Sequence, residues 1–333
     1  METLHFLQTT WFILVGVLLL GYSILDGFDL GIGSLMPFLA RKEEEKTALI
    51  KSIGPFWDGN EVWLLTGGGA LFASFPHAYA TVFSGFYLAL MLVLFALIFR
   101  AVSIEFFIHD EKNRKTWEWG FIIGSFLPAL LFGVALGNVI VGIPLNENMD
   151  FTGTFFTLLR PFPLVVGLLG LNAILLQGST YAALKTTGDT RDRARRLTNR
   201  LWVSFIFLFA LSFVLAYIYV PGALGRILAW VSALVAAAGW GLIKRFAKKG
   251  KDTLAFLMSS LTFVGLWGIV GAIHFPYMVR ASNDLSLSLT VRNASSTELT
   301  LKVMLIIALI GMPLVLFYTY YIFKTFKGNA KMN

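Results

Sequence analysis

The chain has 333 residues, 57% of them hydrophobic and 14% charged, with a mean hydropathy of +0.74. So few Lys, Arg, Asp and Glu cannot cover a water-facing surface around a core of this size, which excludes an ordinary soluble fold. The net charge of +8 sits in short loops between apolar runs, so it argues for membrane topology and against a nucleic-acid partner. The absence of cysteine excludes disulfides, iron–sulfur clusters and thiolate haem ligation within the chain.

Nine apolar runs are long enough to cross a hydrocarbon core of about 30 Å. The first covers 10–38 and follows a segment with Glu2, His5 and no Lys or Arg, the wrong polarity for a cleaved signal peptide, so it is expected to be retained. Late in this run lies Asp26-Gly27-Phe28-Asp29-Leu30-Gly31, and a spacing of three places both carboxylates on one helical face. The second run, 54–75, opens with Trp57-Asp58-Gly59-Asn60-Glu61-Val62-Trp63 and continues into Gly67-Gly68-Gly69, which reads as a close helix-packing site without phosphate-loop context. The third, 79–100, follows an external turn at His77 and ends at Arg100, with Glu105 just beyond and His109 in the next loop. The fourth, 117–143, holds Asn138; the fifth, 161–184, holds Asn172 and Gln177, all read as interhelical hydrogen-bonding residues. The sixth, seventh and eighth runs cover 201–220, 224–243 and 254–278, with His274 near the outer end of the eighth. A Ser/Asn/Thr-rich external loop, 279–300, precedes the ninth run, 301–323.

Lys and Arg fall on alternate connections: 22 of 27 lie on one side, including Arg41, Arg114, Arg191 to Arg200, Lys244 to Lys251, Lys327 and Lys331. Positive loops stay cytoplasmic, so the N-terminus is expected outside and the C-terminus inside, which requires an odd number of spans. The predicted fold is an all-α polytopic membrane protein forming one domain over 1–333. Helices at 10–143 and 161–278 would make two four-helix bundles, with the helix at 301–323 peripheral. The basic stretch from Arg191 to Arg200 reads as a solvated loop that fixes topology, with an anionic-lipid contact as the alternative.

Intramembrane ionisable residues need a partner, a wet cavity or a neutral state, so they are the informative positions. The topology puts Asp26, Asp29, Asp58 and Glu61 in the cytoplasmic half, level with Arg100 and Glu105. Two readings stay open: a partly hydrated route taking up protons from the cytoplasm, or a packing device in which Arg100 and the backbone neutralise the acids. Oxygen-only ligands at these spacings form no recognised loop motif, so no metal is expected. The four histidines are scattered, and only His274 approaches a position from which a haem could be ligated. Trp57 and Trp63 read as interfacial anchors or quinone-headgroup contacts.

The run from Asp26 to Gly31, followed by Pro55-Phe56-Trp57-Asp58-Gly59-Asn60-Glu61-Val62-Trp63-Leu64, resembles the signature of cytochrome bd oxidase subunit II. Further similar stretches follow in the family's order: Phe83 to Tyr87, Trp119-Gly120 with Ile123 to Phe126, Gly137-Asn138, Gln177 to Tyr181, Ala294 to Ser296, and Leu299 to Leu301. The resemblance implies a bacterial cytoplasmic-membrane complex of the aerobic respiratory chain that oxidises ubiquinol or menaquinol and reduces dioxygen to water. It further implies that two b-type haems and one d-type haem belong to subunit I, and that this chain ligates none of them. Subunit I is the implied heterodimer partner, with membrane lipids, a small single-helix subunit and a structural quinone as further implied company. Carried over by position, Asp26, Asp29 and Asp58 match acids that help proton uptake, and Trp63 lies near the oxygen route. Read without the resemblance, the same acids and glycine-broken helices also fit a proton-coupled secondary transporter, although no inverted repeat is visible, or a purely structural assembly subunit.

Overall fold

The structure, a computed structural model, describes residues 2–326 and 328; Lys327 and Lys331 of the inner-side charge pattern lie outside the described residues. The described chain is helical almost throughout: α1 (Glu2–Leu39), α2 (Glu43–Ile53), α3 (Trp57–Ser74), α4 (Pro76–Gly85), α5 (Tyr87–His109), α6 (Arg114–Val141), α7 (Pro161–Lys185), α8 (Gly188–Tyr219), α9 (Ile227–Lys248), α10 (Asp252–His274) and α11 (Glu298–Thr325). Eight of them, α1 and α5 to α11 without a gap, are long and apolar enough to cross a membrane. The chain is therefore a polytopic helical membrane protein.

Several boundaries differ from expectation for identifiable reasons. The second expected span folds as α3, but its 18 residues carry Asp58, Asn60 and Glu61 in the first two turns, and it is not among the eight. The third, expected at 79–100, is instead divided at Phe86 into the short α4 and the longer α5, which runs on to His109. Helix α1 begins at Glu2, so His5 is helical and not part of a tail; His77 lies in the first turn of α4, and His109 closes α5. Arg191 to Arg200 form the first turns of α8 and are not a loop. Of the three consecutive glycines, only Gly67 faces a neighbour, Leu19, while Gly68 and Gly69 face open space.

Helices α1 and α7 form the centre. Helix α1 packs on α3, α6 and α7, and α7 packs on α6, α8 and α10, with α5 against α6 and α9 against α10. The crossing of α1 and α7 is backbone to backbone: a Cβ on Gly178 would lie 2.6 Å from the Cα of Gly31, so only glycine fits. Helices α6 and α7 approach similarly, with a Cβ on Gly133 falling 2.8 Å from the Cα of Gly167. By contrast α11 has only 6% of its apolar window buried, and Ile306, Ile307, Leu309 and Leu314 are exposed along it.

The connections after α6 and α10 fold over one end of the bundle. The strands β1 (Tyr277–Val279) and β2 (Leu289–Thr290) pair antiparallel, and Ile143 bridges to Ala281. The Trp11 indole donates to Leu301 O at 3.0 Å, the Gln8 amide donates to Ser295 Oγ at 2.7 Å, and the Ser296 N–H donates to Ser74 O at 2.8 Å. The expected loop at 279–300 is thus an ordered cap that ties α1, α3 and α11 together.

Candidate functional site

On α5 the buried residues Val93, Ala96, Leu97, Arg100, Ser103, Ile104 and Phe107 recur every three or four positions, which turns the Arg100 side chain inward. On α1, every residue from Asp26 to Met36 is buried, because α6, α7 and α3 surround that segment. These two facts bring Arg100 and Asp26 together as a bidentate pair. The Arg100 Nη1 donates to Asp26 Oδ2 at 2.9 Å, the Nη2 donates to Asp26 Oδ1, and both side chains are fully inaccessible to solvent. The fork geometry suits carboxylate recognition, and removing either partner would strand a buried charge.

Asp29, one turn further along α1, is equally buried. The Asn60 amide donates to Asp29 Oδ2 at 2.8 Å and to Leu25 O at 3.3 Å, while Asp29 Oδ1 has no hydrogen-bond partner. One arginine therefore faces two fully buried carboxylates, and it is spent on the first. Glu61, half-buried on α3, lies near enough to interact electrostatically with Arg100, Asp26 and Asp58. Asp58 itself is exposed and accepts the Gly59 N–H at 2.6 Å. The order from the chain's surface inward is Asp58, Glu61, then Asp29 with Asp26 and Arg100.

Two expectations change. Asp58 does not join the buried group, because the inward stripe of α3 is Asn60, Trp63 and Gly67, which turns Asp58 outward. Glu105 also lies outside the cluster: it is exposed, off the stripe that carries Arg100. Trp63 is buried and packs flat against Gly21 of α1, where a side chain would collide with its ring. Trp57 is half-buried against Ile53, Phe56 and their neighbours. Asn60 is the site residue to which the sequence reading gave no role. Its spacing of three to Trp63 and seven to Gly67 was the available signal, since that periodicity marks the packed face of α3.

A second polar network lies at the end of the bundle carrying α2. Glu45 accepts the backbone N–H groups of Arg41 and Lys42 at 2.7 and 3.1 Å, and the Arg193 Nη2 at 2.6 Å. Arg193 Nε also donates to Leu39 O at 2.7 Å, locking the α1–α2 turn to α8. Burial pushes the Glu45 carboxyl up, but the hydrogen bonds from Arg41, Arg193 and Lys42 outweigh it and hold the group down at about 2. Two of the three expected interhelical hydrogen bonds are present, Gln177 Nε2 donating to Ser260 Oγ at 2.9 Å and Asn172 Nδ2 to Ser204 Oγ at 2.5 Å. Asn138 instead turns to the connection after α6, donating to Leu158 O at 2.8 Å and accepting Arg160 Nη2 at 3.0 Å.

Three of the histidine rings meet local groups, while His274 Nδ1 is buried without a hydrogen-bond partner. His274 Nε2 faces the Met278 carbonyl at 3.0 Å, His109 Nδ1 faces the Glu105 carbonyl at 2.8 Å, and His5 sits beside Arg292 at 2.9 Å. Among the described residues, no three His, Asp or Glu gather closely enough to hold a metal ion.

Fold and site together define a multi-pass helical membrane protein built around a buried acid–arginine group reached from one exposed helix face. The sequence matches the family of cytochrome bd terminal oxidase subunit II over residues 7–326, and the chain belongs to that family. It is 37% identical to the cytochrome bd-I ubiquinol oxidase subunit 2 of Escherichia coli (strain K12), covering 96% of this chain and 93% of that one. It is 35% identical to the cytochrome bd ubiquinol oxidase subunit 2 of Bacillus subtilis (strain 168), covering 97% of each. The fold is similar to that of a chain in the bd oxidase of Geobacillus thermodenitrificans, with a TM-score of 0.81 and 16% identity over 96% of this chain and 98% of that chain.

Proposed function

We propose that this chain is the haem-free second subunit of a quinol:oxygen oxidoreductase of the bacterial cytoplasmic membrane, and that it conducts protons toward a haem-bearing partner. The observation that carries this reading is the graded series of carboxyls from exposed Asp58 through half-buried Glu61 to fully buried Asp29 and Asp26, beside a single arginine. A relay needs a carboxyl that can take and release a proton without an ion-pair partner fixing its charge, and Asp29 meets that description. Its one donor is an amide, and its second oxygen is open. Asp26 is the fixed counter-ion of Arg100 and acts as the electrostatic anchor of the route. Relatives named as ubiquinol oxidase subunits support quinol as the electron donor, with ubiquinol or menaquinol as the candidates.

In this reading subunit I holds the two b-type haems and the d-type haem. They supply the electron transfer and dioxygen reduction, while this chain orients the partner and excludes water from the buried acids. A small single-helix subunit, a structural quinone and membrane lipids complete the assembly. The side bearing α2 and the basic ends of α8 and α9 faces the cytoplasm, with the N-terminus outside and the C-terminus inside. Helix α3 then serves as the ninth crossing, covered by the partner because its exposed Asp58 cannot face lipid cheaply. Helices α1, α3, α5 and α6 make one bundle of the single domain, α7 to α10 the other, and α11 lies at the edge. Trp63, wedged over Gly21, flanks the oxygen path, with Trp57 beside it.

The test is Asp29→Asn in the purified complex. The amide keeps the shape and the Asn60 contact but cannot carry a proton, so assembly and haem content should be normal while quinol-dependent oxygen consumption and proton uptake fall together. Normal turnover in a normally assembled variant would leave the acids a packing role only.

A further inference from the structure

We infer that the inner ends of α8 and α9 form a binding site for an anionic phospholipid, with the headgroup phosphate on a basic shelf and one acyl chain in the cleft above it. The inference requires only that the chain spans a membrane and is independent of the oxidase reading.

The shelf is rigid. Trp202 of α8 and Trp240 of α9 stack with ring centroids 4.0 Å apart and 9° between planes. Each indole N–H donates to the other residue's carbonyl, at 2.8 Å from Trp202 and 2.9 Å from Trp240. Lys244, one turn beyond Trp240, places its ammonium 4.1 Å from the Trp202 ring centroid, a cation–π contact that fixes a positive charge at the edge of the apolar zone. Stacked tryptophans of this kind prefer the depth of lipid headgroups.

The charge around the shelf is unbalanced. Arg196, Arg200, Lys244, Arg245, Lys248 and Lys249 make no salt bridge among the described residues. Elsewhere on the inner side Lys46 pairs with Glu43 and Glu118, Arg193 with Glu45 and Arg195 with Asp252 at 2.6 Å. Lys112, Lys115, Arg191 and Lys324 also make no salt bridge among the described residues, so what distinguishes the shelf is that its cations surround a locked aromatic pair. Membrane insertion demands positive loops but does not demand that the cations stay unpaired around a locked aromatic pair. A phosphate supplies the missing counter-charge.

Further along these helices lies an apolar cavity of about 160 Å³, lined by Phe209, Phe213 and Ala216 of α8 and Trp230 and Ala233 of α9 and closed behind by residues of α6, α7 and α10. Trp230 is 47% exposed and Phe213 37% exposed, so the cavity opens sideways onto the membrane. Phe209 lies seven residues beyond Trp202, about 10 Å along the helix, within reach of an acyl chain whose headgroup rests on the shelf. Phosphate and chain are thus both provided for, the first by the basic shelf of α8 and α9 and the second by the apolar cavity that Phe209 begins.

The experiment uses the purified, delipidated complex, with bound tetraoleoyl cardiolipin counted by native mass spectrometry and dioleoyl phosphatidylcholine as the zwitterionic comparison. Cardiolipin should bind in preference to phosphatidylcholine, and raising the ionic strength should release it from the unaltered protein. Combined Arg200→Gln, Lys244→Gln, Arg245→Gln and Lys248→Gln should weaken its binding about tenfold or more, since each cation near the surface contributes several-fold. Lys112→Gln with Lys115→Gln, on the α5–α6 turn, should leave it unchanged. Equal binding of the two lipids, salt-insensitive cardiolipin binding by the unaltered protein, or equal loss in the α5–α6 variant overturns the site. The first two outcomes remain decisive should the fourfold variant fail to insert.

Discussion

The Arg100–Asp26 pair allows the buried cluster to be tested by stability before any turnover is measured. Both side chains are wholly inaccessible and share two hydrogen bonds, so Asp26→Leu leaves an unpaired guanidinium in the bundle and Arg100→Met leaves an unpaired carboxylate. Stranding one partner of a buried pair costs about 3–5 kcal/mol, a large share of the roughly 5–15 kcal/mol that holds a folded protein together. For a chain of this size that corresponds to a fall of about 10 °C in Tm. The double variant Asp26→Leu/Arg100→Met removes both charges and replaces them with apolar side chains, so it should recover most of the loss. The measurement is thermal unfolding of the detergent-purified complex followed by intrinsic tryptophan fluorescence, for both singles and the double. Single changes that each cost less than about 1 kcal/mol, with a simply additive double, would refute a dry, mutually dependent pair. They would mean that water reaches the cluster and shares its charge.

The crossing of α1 and α7 should tolerate no side chain: Gly178→Val ought to abolish recovery of the assembled complex on size exclusion, while Gly311→Val, which faces open space on the edge helix α11, should be recovered normally. Glu45→Gln should lower stability by about 1–3 kcal/mol at neutral pH, because it weakens charge-assisted bonds from Arg41, Lys42 and Arg193. The folded-state value of about 2 lies below the unfolded one of about 4.3, so that stabilisation is present above about pH 4.3 and lost as pH falls toward 2. Melting curves of the two proteins should therefore converge on acidification and stay apart at pH 5 to 8. Trp63→Leu should raise the KM for oxygen at unchanged kcat if the ring flanks the gas path, whereas a change confined to Tm would assign it a filling role over Gly21.

Much of the site was legible because period alone carries it. Three-residue spacing put Asp26 and Asp29 on one face of a helix, and both are buried; apolar length located most of the spans within a few residues. The failures have one physical source, that a charged residue's type says nothing about which way its helix turns it. Asp58 and Glu105 were grouped with the buried acids by depth. The buried stripes of Asn60, Trp63 and Gly67 on α3, and of Val93, Leu97, Arg100 and Ile104 on α5, rotate both of them outward. Those stripes are visible in the sequence once hydrophobic and small residues are read together. The break at Phe86 is marked only by the single glycine Gly85 that ends α4, a signal too common in membrane helices to divide the apolar run by itself.

Helix α3 explains why a chain that spans a membrane exposes acids at all. Its outward face carries Asp58, and Glu61 is only half-covered, on a helix flanked by α1 and too polar to count among the eight apolar ones. Ionisable side chains within the span are costly against lipid even near its cytoplasmic end, so two on one helix call for a partner or a wet surface. In the proposed reading, a partner surface over α3 would remove that cost and turn an exposed acid into the mouth of an enclosed path toward Asp29. The same contact would then cover α3 and close the proposed proton route together, so that reading expects proton uptake only from the assembled oxidase.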